Sequence, residues 1–98
     1  MTKKVFWSPA AEIDFANILE YLNSRWNVTV AIDFINLTEG LLTQISINPK
    51  QFPIIYKSKG IRRSVLTKHN SIYYRVKKDQ VELLRIYDTR QDPDSLRF

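Results

Sequence analysis

The residues able to do chemistry lie mostly in the second half of the chain, and most are cations. Lys57 and Lys59 stand in a connector, Arg62 and Arg63 open the stretch "IRRSV", Arg75 and Arg85 lie within alternating apolar runs, and Arg90 follows "IYDT". Tyr73, Tyr74, Tyr87 and the single His69 are interleaved with them. Arg and Lys pair with phosphates and Tyr stacks on unpaired bases, so a sheet that projects both has the means to bind RNA. Metal-free RNA cleavage would further need a base for the 2′-OH, an acid for the leaving oxygen and cations around the phosphorane. Arg and Lys suit the last role. Tyr and Lys are poor bases, with reference pKa values of about 10, and would need tuning by neighbouring cations or burial. The competing reading is structural: Tyr is common in strands, and Arg75 and Glu82 are spaced as a cross-strand pair.

Other chemistries find little support. Both glycines stand alone, so there is no phosphate-cradling loop. His69 has no carboxylate at a ligand-like spacing and falls in a predicted turn, where an exposed turn residue is the expectation. No Ser/His/Asp set is evident, and no metal or cofactor is expected. Glu12 and Asp14 are two apart, so they point to different faces of a helix and cannot form a dyad. Their expected role is to complement the helix dipole.

The elements that must position these residues follow from periodicity. Lys3 to Trp7 alternates like a strand. Ser8 is placed as an N-cap, with Pro9 at the first helical position. Phe15, Ile18, Leu19, Leu22 and Trp26 then follow helical spacing and predict one apolar face. Asn27 or Thr29 can cap a second helix, with a stripe of Ala31, Phe34, Ile35, Thr38, Leu41, Leu42 and Ile45. Gly40, within it, suggests close approach of the first helix. The short link predicts an antiparallel helix hairpin. Asn48-Pro49 stops the second helix, and 51–60 reads as a connector. Strands are predicted at 61–67, 71–77 and 81–87, with turns at His69-Asn70 and Lys78-Asp79, and Asp92-Pro93-Asp94 ends regular structure. A two-residue turn between the last two strands would put Ile72, Tyr74, Val76, Val81, Leu83, Arg85 and Tyr87 on one face, and Tyr73, Arg75, Lys77, Glu82, Leu84 and Ile86 on the other. Helices group together and strands group together. The expected class is therefore α+β, in the order β-α-α-β-β-β, with the helix hairpin packed on a mainly antiparallel sheet.

Ninety-eight residues with 44% hydrophobic and 26% charged content suit one domain, residues 1–98, with a small core. The absence of Cys excludes a disulfide scaffold and a thiol nucleophile. The start of the chain does not read as a signal peptide, and no apolar run is expected to span a membrane, so a cytoplasmic protein is expected. Charge is unevenly distributed. Residues 1–49 carry three basic and five acidic side chains, a net −2, whereas residues 50–98 carry twelve basic and five acidic, a net +7. That asymmetry suggests a polyanionic or acidic partner for the second half.

From about Lys4 to Pro93 the chain resembles the RelE/ParE superfamily of toxins of type II toxin–antitoxin systems. The resemblance rests on "FWSPAAEIDFANILEYL", "AIDFINLTEGLLTQISINPKQFP", "IRRSV" and "SIYYRVKKDQVELLRIYDTRQDP", in that order and spacing. It implies a helix hairpin on an antiparallel sheet and a toxin held inactive by a cognate antitoxin in a hetero-oligomer. The antitoxin often meets the toxin's basic surface with acidic residues. It also implies growth arrest by one of two routes. RelE-like members cleave mRNA on the ribosome, and ParE-like members poison DNA gyrase and lack the nuclease residues. Carried over by position, Arg62 and Arg90 resemble catalytic arginines, and Lys57 and Lys59 resemble the basic loop residues of nuclease members. Arg63, Arg75 and Arg85 join Lys57 and Lys59 as candidates for contact with nucleic acid or antitoxin. Nuclease members tend to keep a Tyr, or His and Tyr, near the C-terminus. This chain ends "DPDSLRF", so a gyrase inhibitor or a non-toxic binding domain of toxin ancestry stands beside the ribonuclease.

Overall fold

The computed structural model describes residues 2–91 and 95–98. Its elements are β1 (Lys4–Trp7), α1 (Pro9–Arg25), α2 (Val28–Ile47), β2 (Ile54–Tyr56), a 3₁₀ turn (Lys57–Lys59), β3 (Ile61–Val65), β4 (Asn70–Val76) and β5 (Gln80–Asp88). The class is α+β, as expected. Five strands form one sheet in the order β1-β5-β4-β3-β2, antiparallel except that β1 runs parallel to β5.

Local chemistry starts both helices. The Ser8 hydroxyl accepts from the Ala11 N–H at 3.0 Å, and Pro9 occupies the first turn. Of the two candidate caps for α2, Asn27 serves, its side-chain oxygen accepting from the Val30 N–H at 3.0 Å. The α2 stripe packs inward as its spacing requires, with Ala31, Phe34, Thr38 and Ile45 buried. By length and composition α2 is also long and apolar enough to cross a membrane, contrary to the sequence reading. Here one face of it instead joins Ala11, Ile72, Tyr74 and Leu83 in the main core.

Several expectations need correction. Trp26 does not continue the apolar face of α1. The helix ends at Arg25, and Trp26, now out of helical register, is 69% exposed. The connector at 51–60 contains β2, an edge strand that follows Pro53, whose missing N–H is tolerated there. The faces of β5 also differ. Opposite β4 the register runs Tyr74↔Leu83 and then Tyr73↔Arg85, leaving Leu84 as an extra residue. This bulge inverts the alternation beyond it. Ile86 therefore joins the main core, while Tyr87 packs with Ile61, Tyr73 and Leu96 on the opposite face. The Asp92-Pro93-Asp94 stop lies outside the described residues.

Gly40 does not serve close helix contact, because a Cβ built there meets no atom within 4 Å. Gly40→Ala is therefore expected to raise the unfolding free energy by about 1 kcal/mol, the ordinary helical advantage of Ala over Gly. Urea denaturation checks this, and a loss of stability would show that the position is tighter than it looks.

Candidate functional site

The geometry of the functional end of the sheet begins with α1. β1 pairs with β5 as far as Trp7↔Leu83, and Ser8 extends that contact. The Ser8 N–H donates to Leu83 O at 2.9 Å, and its hydroxyl donates to Leu84 O at 2.7 Å. Beyond this point β5 has lost its neighbour, and a side chain takes over. The Asp14 carboxylate accepts from Arg85 Nε at 2.7 Å, from Arg85 Nη2 at 2.9 Å and from the Ile86 N–H at 3.1 Å. The hydrogen bond that Arg85 donates to Asp14 raises the Arg85 pKa above its ordinary value, outweighing partial desolvation. Asp14 thus has a structural task that dipole reasoning did not suggest. The available sequence signal was the doubled Leu83-Leu84 within an alternating run, which marks a bulge.

This clamp forms part of the floor of a groove of about 730 Å³ between the helix hairpin and the ends of β4 and β5. Tyr21, Trp26 and Leu37 give its helical wall an apolar character, and His69, Asp88 and Arg90 stand on the sheet side. A smaller hollow of about 240 Å³ adjoins it across Leu37 and reaches Gly40 and Val65. Trp26, Leu37 and Val65 are exposed large apolar side chains along this path. Two of the groove's three acids are neutralised internally, Asp14 by Arg85 and Asp88 by Arg90, while Asp33 has no basic partner among the described residues. The hydrogen bonds from Arg90 hold the Asp88 carboxyl below its usual range.

The candidate arginines are not brought together. Arg62 points to the helix side of β3, where Nη1 donates to Phe52 O at 2.6 Å and Lys50 O at 3.2 Å and so fastens the loop before β2. Beside it the Tyr74 hydroxyl donates to Pro49 O at 2.6 Å. Burial pushes its pKa up to about 12 despite the nearby Arg62 charge. Arg90 lies past β5 and grips Asp88 with Nε, Nη2 and its own N–H. Arg62 faces Tyr74, which faces Leu83, and the path from Leu83 to Arg90 is roughly 20 Å at strand rise.

The other cations are distributed differently. Arg85 is held by Asp14 and also donates to Arg97 O at 2.9 Å. Arg75 and Lys77 both reach Glu82, at 3.1 and 3.5 Å, so the cross-strand pair read from spacing is present. Among the described residues Lys57, Lys59 and Arg63 have no acidic partner, and all three are exposed. They flank the sheet face opposite the helices. Tyr73, Tyr74 and Tyr87 are buried rather than projecting, and the Tyr87 hydroxyl is hydrogen-bonded to Ser95 Oγ. The exposed rings on this face are Tyr56 and Phe98, with centroids 5.3 Å apart, and sequence reasoning singled out neither as a contact surface.

A helix hairpin on a five-stranded sheet, with an apolar groove on one side and a cationic, aromatic face on the other, defines a small α+β domain of the toxin-like kind. The sequence profile of the ParE toxins of type II toxin–antitoxin systems matches residues 5–93, and the chain belongs to that family. Solved structures agree on the fold. The chromosomal ParDE system of P. aeruginosa matches with a TM-score of 0.76 at 18% identity, covering 89% of this chain and 96% of the other. A YoeB/ParE toxin from Agrobacterium tumefaciens gives 0.65 at 14% identity, with coverages of 87% and 96%. The E. coli DinJ-YafQ toxin-antitoxin complex gives 0.60 at 15%, with coverages of 92% and 96%. No curated protein matches the chain.

Removing the Asp14 carboxylate would leave Nε and Nη2 of Arg85, a side chain only 18% exposed, and the Ile86 N–H without their acceptor. Asp14→Ala is expected to cost about 3 kcal/mol in urea denaturation. Asp14→Asn is expected to cost less, because its amide oxygen can still accept from Ile86. Equal losses would show that the bond to the strand adds nothing.

Proposed function

We propose that this toxin is neutralised by a cognate antitoxin whose apolar side chains fill the groove beneath Trp26 and Leu37. We further propose that the free toxin arrests growth by binding DNA gyrase rather than by cutting mRNA. The observation that favours binding over cleavage is that Arg62, Glu82 and Tyr74, three of the titratable groups among the cations, are already committed. Arg62 is fastened to Phe52 O and Lys50 O, and Glu82 is held by Arg75 and Lys77. Tyr74 is buried with its pKa raised to about 12. General acid–base catalysis needs a group whose pKa lies near the working pH and whose proton can reach the substrate. Tyr74 meets neither condition, and the other two already have partners. The match to the ParE family supports the same direction. The antitoxin reading draws on the relatives, two of which are a toxin–antitoxin system and a toxin–antitoxin complex. An amphipathic segment is the natural occupant of an apolar groove whose ion pairs are internally satisfied. This differs from a purely acidic partner drawn to basic charge.

The test places purified toxin in two assays. In gyrase supercoiling reactions it should suppress supercoiling and accumulate cleaved DNA. In a translating extract, primer extension should reveal no new mRNA ends. New mRNA ends with gyrase unaffected would overturn the reading in favour of a ribonuclease. Inertness in both assays would favour a non-toxic binding domain.

A further inference from the structure

Two residues of the groove have no task within the chain. Asp33 is exposed on the helical wall, and no basic side chain pairs with it among the described residues. Gly40 lines the adjoining hollow, and a Cβ built there meets nothing within 4 Å. A mid-helix glycine costs about 1 kcal/mol relative to Ala, and no contact inside the protein requires this one. The two residues belong to one row of α2. Val30, Asp33, Leu37, Gly40 and Gln44 follow one another at steps of three, four, three and four residues, and all five line the groove or the hollow. Such alternation makes the seam along which a second helix packs its knobs into holes. From Val30 to Gln44 the row is about 21 Å long, roughly four helical turns. Exposed Leu37 stands at its centre, and exposed Val65 faces the hollow from the end of β3.

We propose that Asp33 and Gly40 select which antitoxin segment the groove accepts. That segment is an α-helix of about four turns, with an Arg or Lys set against Asp33 and a bulky apolar side chain, one heptad away on the same face, seated on Gly40. The inference rests on the groove reading and specifies its occupant. Asp33 selects by charge. Asp14 and Asp88 are already held by Arg85 and Arg90, so Asp33 is the acid left to pair. A segment that covered it without bringing a cation would desolvate an uncompensated carboxylate, which rejects wrong partners. Gly40 selects by size, since its missing side chain leaves the hollow of about 240 Å³ open to a large residue between Leu37 and Val65. A helix satisfies its own backbone. An extended segment would need a free strand edge, and the β5 edge is already covered by Ser8 and Asp14 as far as the Ile86 N–H. A second copy of this chain does not supply the required helix. Arg25 is the sole cation of α1 and α2, and Ile18, one heptad before it, packs against its own core.

Surface plasmon resonance between the purified full chain and its purified cognate antitoxin tests the pair, with circular dichroism confirming that each variant is folded. Asp33→Ala should weaken binding about 30-fold or more, through faster dissociation rather than slower association, as when one partner of a buried charge pair is removed. Gly40→Trp has open space for its ring in the free toxin and should weaken binding about 10-fold or more by overfilling the contact. Leu37→Glu should abolish binding and reports on the groove itself. In a library of antitoxin variants, Asp33→Arg should be rescued by an acidic replacement of one Arg or Lys, and Gly40→Trp by a large-to-small replacement seven residues from it. Loss of binding with Leu37→Glu but indifference to either Asp33→Ala or Gly40→Trp would keep the groove and overturn the selecting pair. Indifference to all three would overturn the groove reading and the pair with it. Rescue of Asp33→Arg only at antitoxin positions that carry no cation would also overturn the pair.

Discussion

The arrangement of this toxin depends on how one unpaired stretch of strand is completed. β5 is central to the sheet only as far as Leu83, where β1 turns away into α1. From there the Ser8 hydroxyl and the Asp14 carboxylate, both from the region of α1 that follows β1, supply the missing partners at Leu84 O, Arg85 and the Ile86 N–H. A buried strand edge without such partners would carry unsatisfied polar groups at considerable cost. The same contacts hold the bulge at Leu84, and the bulge decides which side chains of β5 reach the core. Ile86 faces inward because of it, and Tyr87 is released to the opposite face.

That sorting separates two surfaces with different chemistry. Toward the helices, Asp14 and Arg85 neutralise each other at the floor of an apolar groove. On the opposite face, Tyr73 and Tyr87 build a small second core on which Leu96 and Phe98 rest, leaving Lys57, Lys59 and Arg63 free of acidic partners among the described residues. In the proposed reading the groove receives the antitoxin and the basic face stays open. The strongly basic second half of the sequence is then a property of the open face rather than of the groove.

Much of the fold was legible because its determinants are local. Ser8-Pro9 and Asn27 start the helices through hydrogen bonds three residues away, and the α2 stripe follows from periodicity. The sites were less legible because they depend on distant partners. Asp14 and Arg85 are 71 residues apart, and no spacing rule joins a helix's first turns to the sixth residue of a remote strand. Trp26 looked like core because its spacing fits α1, and only the end of the helix at Arg25 turns it outward. Arg62 looked available because its carbonyl partners, Lys50 O and Phe52 O, are backbone atoms that carry no sequence signal. The family resemblance named the right class while leaving these particulars open.

The division into two surfaces is the central claim, and hydrogen–deuterium exchange on the toxin, free and bound to its antitoxin, tests it most directly. The account expects slower exchange in peptides lining the groove, around 18–37, 66–70 and 86–91, with 54–63 unchanged. Protection confined to 54–63, with the groove peptides unaffected, would contradict it.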